Sequence, residues 1–145
     1  MPSLAIAPIA DADVADVVAL WQACGLTRPW NDPSADIALA RRGPSSAVLV
    51  GRDAGAIVAT AMVGHDGHRG WVYYVAVDPR RQGKGLGRTM MQAVEGWLRQ
   101  AGVPKLQLLI RRENAKASAF YQTLGYEEST SVMLAKWLDG REATP

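Results

Sequence analysis

Apolar residues along this chain switch several times between a spacing of two and a spacing of three or four. Leu4 and Ile6 alternate as a short first strand, and Val14, Val17, Val18, Trp21 and Cys24 then recur on one helical face. Asp11 or Asp13 stands where that helix needs a cap, and Gly25 ends it. Asp32-Pro33 reads as an N-cap followed by proline at the first helical position, opening a short helix through Ile37 and Ala40. Residues 41–46 form a linker. Residues 47–50 and 56–63 are apolar runs joined by the turn-forming Gly51-Arg52-Asp53-Ala54-Gly55, which predicts a hairpin. Residues 71–77 are a third apolar run with the length of a buried strand, and Asp78-Pro79 closes it.

A longer helix is predicted from about Leu86, burying Leu86, Met90, Val94, Trp97, Leu98 and Ala101. Gly102 closes it and Pro104 prevents its extension. Residues 105–111 alternate as a strand, Asn114 caps a last helix through Leu124, and Gly125 stops that helix. Residues 126–134 supply final strand material, in one or two lengths. A helix between strands 71–77 and 105–111 implies a right-handed parallel crossover, whereas the earlier hairpin implies antiparallel pairing. The expected fold class is therefore α/β: a mixed, strongly twisted sheet flanked by helices. It is expected as a single domain over residues 1–138 with a tail over 139–145.

Composition narrows the class further. At 145 residues the chain is long enough for one real core and too short for two. No segment approaches the ~20 apolar residues of a membrane span, and the first residues do not resemble a signal peptide. Cys24 is the single cysteine and lies on the apolar side of a helix, so it reads as a small hydrophobe. Two histidines with no further cysteine argue against a metal site, and a cytoplasmic location is expected. The net charge of +2 is uneven: residues 1–68 balance at −3 and residues 69–145 at +5. The basic half suits a polyanionic small ligand, but its charges are not interleaved with aromatics as a nucleic-acid surface would require.

The most informative stretch lies in that basic half: Val77-Asp78-Pro79-Arg80-Arg81-Gln82-Gly83-Lys84-Gly85-Leu86-Gly87-Arg88. Glycines at 83, 85 and 87 let a backbone approach a ligand closely, and they lead into the free amides of a new helix. Arg80, Arg81, Lys84 and Arg88 add positive charge, so a phosphate-bearing ligand is the natural reading. A P-loop would require Ser or Thr after Lys84, where Gly85 stands. The dinucleotide fingerprint would require glycine at position 88, where Arg88 stands. Taken alone, the same spacing also fits a Gly-rich surface turn.

A second motif downstream removes that ambiguity. Gln82-Gly83-Lys84-Gly85-Leu86-Gly87 is similar to the acetyl-coenzyme A motif of the GCN5-related N-acetyltransferase (GNAT) superfamily. Asn114-Ala115-Lys116-Ala117-Ser118-Ala119-Phe120-Tyr121-Gln122-Thr123-Leu124-Gly125-Tyr126 is similar to that family's second motif. The resemblance covers nearly the whole chain. Residues 20–33 and 67–79 look like the YpeA-type branch of small bacterial acetyltransferases.

The resemblance implies acetyl-CoA as cosubstrate and an amine acceptor, on a small molecule or a peptide, acetylated directly in a ternary complex. Main-chain amides of Gln82, Gly83, Lys84, Gly85, Leu86, Gly87 and Arg88 would hold the pyrophosphate. Val75, Ala76 and Val77 would border the pantetheine arm, with Val75 and Val77 pairing to it. Asn114 would contact the pantetheine side, and Tyr121 would give a proton to the leaving thiolate. The residues themselves agree, because a phenol is protonated at neutral pH; Tyr121 and Asn114 also fit a core aromatic and a helix cap.

Acceptor recognition is expected from Arg28, Trp30 and Asn31 in the loop between the first helices, and from Tyr73. No glutamate lies on strand 71–77, so the general base is open among His65, His68 and a water oriented by Tyr73 or Tyr74; Glu95 reads as solvated. A non-catalytic acyl-CoA-binding or regulatory module of the same fold is the alternative. Both a monomer and a homodimer are compatible with the sequence, with no nucleic-acid and no membrane partner expected.

Overall fold

The computed structural model describes residues 3–142 in two compact units, one ending at Leu109 and one beginning at Ile110. In the first unit the chain runs β1 (Ala5–Pro8), α1 (Val14–Ala23), α2 (Pro33–Ala40), β2 (Ser46–Asp53), β3 (Ala56–His65), β4 (Gly70–Val77), α3 (Leu86–Gln100) and β5 (Leu106–Gln107). Single 3-10 turns precede α1 and α3. The strands lie in sequence order, β1-β2-β3-β4-β5, with β4 and β5 parallel and every other pair antiparallel. The second unit holds α4 (Ala115–Thr123).

Local chemistry sets most boundaries. The Asp32 carboxylate accepts the Ala35 N–H at 3.1 Å and Pro33 opens α2. Asn114 caps α4 through Ala117 in the same way, at 3.1 Å. Gly25 and Gly102 take left-handed conformations just past α1 and α3, where a Cβ would be strained. Asp13 holds the N-cap position of α1, but its carboxylate turns to the Ala10 N–H and to Arg52 instead of capping. That ion pair holds its pKa below the ordinary carboxylate range. The hairpin turn is tighter than the sequence suggested: only Ala54 and Gly55 lie between β2 and β3, both left-handed.

Two corrections concern the strands after α3. The strand expected over 105–111 is only Leu106–Gln107, pairing with Gly70 and Trp71. Residues 126–134 form no strand among the described residues, and Val132, Met133 and Leu134 are exposed. Alternating sequence was too weak a signal there, because strand pairing depends on neighbours more than on intrinsic preference.

The sheet is covered on both faces. Val17, Leu20, Trp21 and Ile37 pack with Val48, Val50 and Ala76. Gly51, adjacent to Val50, points the other way: a Cβ there would meet the Met90 sulfur at 3.0 Å. A Cβ on Gly70 would lie 2.6 Å from Leu98, so α3 sits tightly on β4 only because that position has no side chain.

The strand β4 does not alternate simply. Tyr73 pairs with Met62 but Ala76 with Thr60, so Tyr74 and Val75 together oppose Ala61. This is a β-bulge, and Tyr74 sits at φ 54°, rare for a residue with a Cβ. The extra residue shifts the alternation, so Gly70 faces α3 whereas Ala76 faces α1 and α2. Three contacts hold it. The Thr60 hydroxyl donates to the Tyr74 carbonyl at 2.9 Å and accepts the Trp21 indole N–H at 2.8 Å, and the Tyr74 and Trp21 rings stack 3.8 Å apart.

Thr60 is fully buried, so its hydroxyl has no water to replace these partners. Thr60→Val keeps the shape and strands the Trp21 N–H. Urea denaturation is expected to show a loss of about 1–3 kcal/mol, with Thr60→Ser retaining most of the stability. A Val variant as stable as wild type would show that the bulge does not depend on this hydroxyl.

Candidate active site

Strand β4 ends at Val77, and the chain turns at once. Asp78 accepts the Arg80 N–H at 2.9 Å and starts a 3-10 turn at Pro79. Gly83 and Gly85 follow with φ 81° and 78°, conformations that L-residues avoid, and no atom lies within 4 Å of where either Cβ would stand. Gly85 is the N-cap of α3, and Gly87 belongs to the helix itself. The first amides of a helix have no acceptor within it, so those of Leu86, Gly87 and Arg88 face the open space before α3. Together with the bare backbone at Gly83 and Gly85, this is a concave set of donors suited to an anion such as a pyrophosphate.

The four cations around the loop divide into two pairs. Arg80 is bound to Asp78 at 3.0 Å and Arg81 to Asp53, so their charge is already balanced. The Arg80 guanidinium holds the Asp78 carboxyl below the usual carboxylate range. Lys84 and Arg88 have no ion-pair partner among the described residues, and both are exposed. The positive charge at this loop that no carboxylate balances among the described residues therefore rests on Lys84 and Arg88.

Past Trp71 the outer edge of β4 has no strand partner among the described residues. Asp78 donates its N–H to the Val58 carbonyl at 2.8 Å, so strand alternation directs the main chain of Ala76 toward β3 and that of Val75 and Val77 away from it. Strand β5 pairs only with Gly70 and Trp71, so beyond them no strand occupies this edge among the described residues. The Val77 carbonyl accepts the Cys24 thiol at 3.2 Å and the Gln82 amide at 3.4 Å. Burial raises the Cys24 pKa, which favours the protonated thiol that donates to this carbonyl. Ala76 is buried in the core under α1 and α2.

In the second unit, Tyr121 packs edge-on against Phe120 and Tyr126, with centroids 5.0 and 5.9 Å away. Burial pushes its phenol up to about 12. The Asn114 side-chain oxygen is engaged in capping α4, which leaves its NH₂ available.

The remaining expected residues separate. Tyr73 is half exposed on β4. Arg28 turns back, donating to the Gly25 and Thr27 carbonyls at 2.8 and 3.0 Å, so that nitrogen closes the end of α1 instead of reaching outward. Asn31 donates its N–H to the Arg28 carbonyl, and Trp30 lies between them in sequence. His65 ends β3 and His68 lies in the turn before β4, and the His65 Nδ1 accepts the Gly67 N–H. They stand at the opposite end of β4 from the glycine loop, roughly 20 Å or more along the strand, so neither serves chemistry at that loop. Glu95 faces Arg99 one turn away at 3.6 Å. One partner was not legible from sequence: Asp36 of α2 accepts the Tyr74 phenol at 2.7 Å. Only the bulge, which turns Tyr74 toward α2, reveals it.

Residues 15–126 match the acetyltransferase (GNAT) family, and the chain belongs to it. It is an N-acetyltransferase whose acetyl donor is acetyl-CoA. Acetyltransferase YE1169 of Yersinia enterocolitica is 39% identical over 127 residues, covering 88% of this chain and 90% of the relative. Among solved structures, AAC(6')-Iy in complex with the bisubstrate analog CoA-S-monomethyl-acetylneamine superposes with a TM-score of 0.80 at 16% identity, covering 94% of this chain and 99% of that one. The ribosomal-protein-S18-alanine N-acetyltransferase from Escherichia coli superposes at 0.74 with 25% identity, covering 88% and 80%. No described helix is long and apolar enough to cross a membrane.

The empty surroundings of Gly85 give a direct test of the cradle. Gly85→Ala meets no atom, so its cost is conformational, about 1–2 kcal/mol for a left-handed alanine. Coenzyme A affinity by calorimetry is expected to fall at least tenfold, beyond what that modest destabilisation explains. Unchanged affinity would place the phosphates elsewhere.

Proposed function

We propose that this enzyme acetylates an amine of a small molecule or peptide by direct transfer in a ternary complex. The observation that supports this most is the pairing of a donor-rich loop before α3 with an edge of β4 that has no strand partner among the described residues. In this reading the amides from Gln82 to Arg88, with Lys84 and Arg88, hold the pyrophosphate, and the main chains of Val75 and Val77 accept the pantetheine arm as an additional strand. Acetyl-CoA, when bound, supplies an acetyl group activated as a thioester.

The protein's own chemistry concerns protons and orientation. An acceptor amine arrives as an ammonium and must lose its proton before it is nucleophilic. Cys24 donates to a carbonyl and has a raised pKa, which supports direct transfer over an acyl-cysteine relay. Tyr121 has the role that the family motif assigns to it, proton donor to the leaving sulfur. With its pKa raised to about 12, the phenol stays protonated across the working range. The same shift makes it a weak acid, so a hydrogen bond to the developing thiolate supplies most of its effect and complete transfer supplies less.

Release of coenzyme thiol with a panel of primary amines tests the reaction. Tyr121→Phe keeps the ring, so fold and coenzyme affinity are expected to survive while kcat falls about a hundredfold, the lower part of the range for acid assistance. Because the phenol loses its proton only near pH 12, the wild-type kcat profile should show no alkaline fall from this residue between pH 7 and 10. A Phe variant with wild-type kcat, where chemistry limits turnover, would remove Tyr121 from the mechanism.

A further inference from the structure

Asp36 stands on α2 with one carboxylate oxygen fixed and the other uncommitted. Oδ2 accepts the Tyr74 phenol at 2.7 Å, and no hydrogen bond to Oδ1 is found among the described residues. No cation pairs with this carboxylate among the described residues, unlike Asp11, Asp13, Asp53 and Asp78, each of which holds an arginine. The side chain is only partly exposed.

The partner that fixes it is itself held firmly. Tyr74 is the left-handed residue of the bulge, its ring lies parallel to Trp21 within 5°, and its carbonyl takes the Thr60 hydroxyl. A strained backbone position persists only where its surroundings over-determine it. Here they aim a phenol off β4, at the point where the strand's outer edge becomes free, and set a carboxylate against it. Burial, with Asp36 beside it, raises the phenol pKa well above the ordinary range, so Tyr74 remains the donor of this hydrogen bond.

We infer that Asp36 is the residue that receives the ammonium group of the acceptor, its carboxylate oriented by Tyr74. A charged oxygen with a fixed neighbour, an open lone-pair face and no resident cation is what a protonated amine requires. This rests on the acetyl-transfer reading for its role in turnover and deepens it: the acceptor is a cationic primary amine, recognised as a cation before it is deprotonated. The inference also accounts for a strand β4 that carries no acid, because the acidic group comes from α2 and is set in place by a tyrosine of that strand.

Amide-resolved NMR titration of the protein with n-butylamine, against 1-butanol at the same ionic strength, tests this without coenzyme or turnover. The amine should give saturable shifts at Asp36, Ile37 and Tyr74, and the alcohol should not. Asp36→Asn keeps an acceptor for the Tyr74 phenol and removes only the charge, so the fold should persist while amine affinity weakens about tenfold or more. In thioester turnover the same variant should raise KM for amines by a similar factor with kcat within about threefold and coenzyme affinity unchanged. Asp36→Glu should recover part of the loss, which a purely structural role would not produce. Equal shifts from amine and alcohol, or an Asn variant that binds the amine as wild type does, would overturn the assignment. Failure of acetyl transfer itself would be seen separately, as absence of thiol release by the wild-type enzyme.

Discussion

The hydrogen bond from the Thr60 hydroxyl to the Tyr74 carbonyl holds together the feature on which the other parts depend. It fixes one extra residue in β4 at a conformation that tyrosine does not prefer, and that residue changes the direction of everything after it. Before the bulge, β4 faces α3 through Gly70; after it, the strand faces α1 and α2 through Ala76. The outer edge at Val75 and Val77 has no strand partner among the described residues, since β5 follows β4 for only two residues. An exposed edge of this kind is ordinarily an aggregation hazard. Its retention is understandable where an extended ligand lies along it.

The loop after β4 completes that arrangement through geometry more than through charge. Of four nearby cations, two are neutralised by Asp53 and Asp78, and the ion pairs brace the turn that places Gly83 and Gly85. Lys84 and Arg88 then supply charge where the backbone supplies directed donors. In the proposed reading a phosphate is met by oriented N–H groups and by two exposed cations, a division in which the fixed dipoles confer position and the cations confer attraction.

Much of this was legible in the sequence because it is local. The caps at Asp32 and Asn114, the ends at Gly25 and Gly102, and the hairpin turn each depend on residues within a few positions of one another. The two glycine-loop positions that take left-handed geometry were among the three singled out, although Gly87 proved to be helical. The bulge was not legible. Residues 71–77 read as an unbroken apolar strand, and nothing in that run distinguishes Tyr74 from Tyr73; the difference comes from Thr60 and Trp21, distant in sequence. The same blindness hid the Asp36–Tyr74 contact and the turn of one Arg28 guanidinium nitrogen back to the Gly25 and Thr27 carbonyls. The short β5 and the strandless residues 126–134 mark the other limit, since alternation alone does not specify a partner.

The central claim is that the bulged edge of β4 and the glycine loop receive one extended ligand. Residue-resolved amide hydrogen exchange with and without coenzyme A tests it most directly, because it reads the main-chain donors themselves. Binding is predicted to slow exchange at Val75 and Val77 together with amides from Gly83 to Arg88, leaving the turn at His65–Arg69 unchanged. Protection confined to the loop, or appearing elsewhere while Val75 and Val77 exchange as before, would contradict the claim.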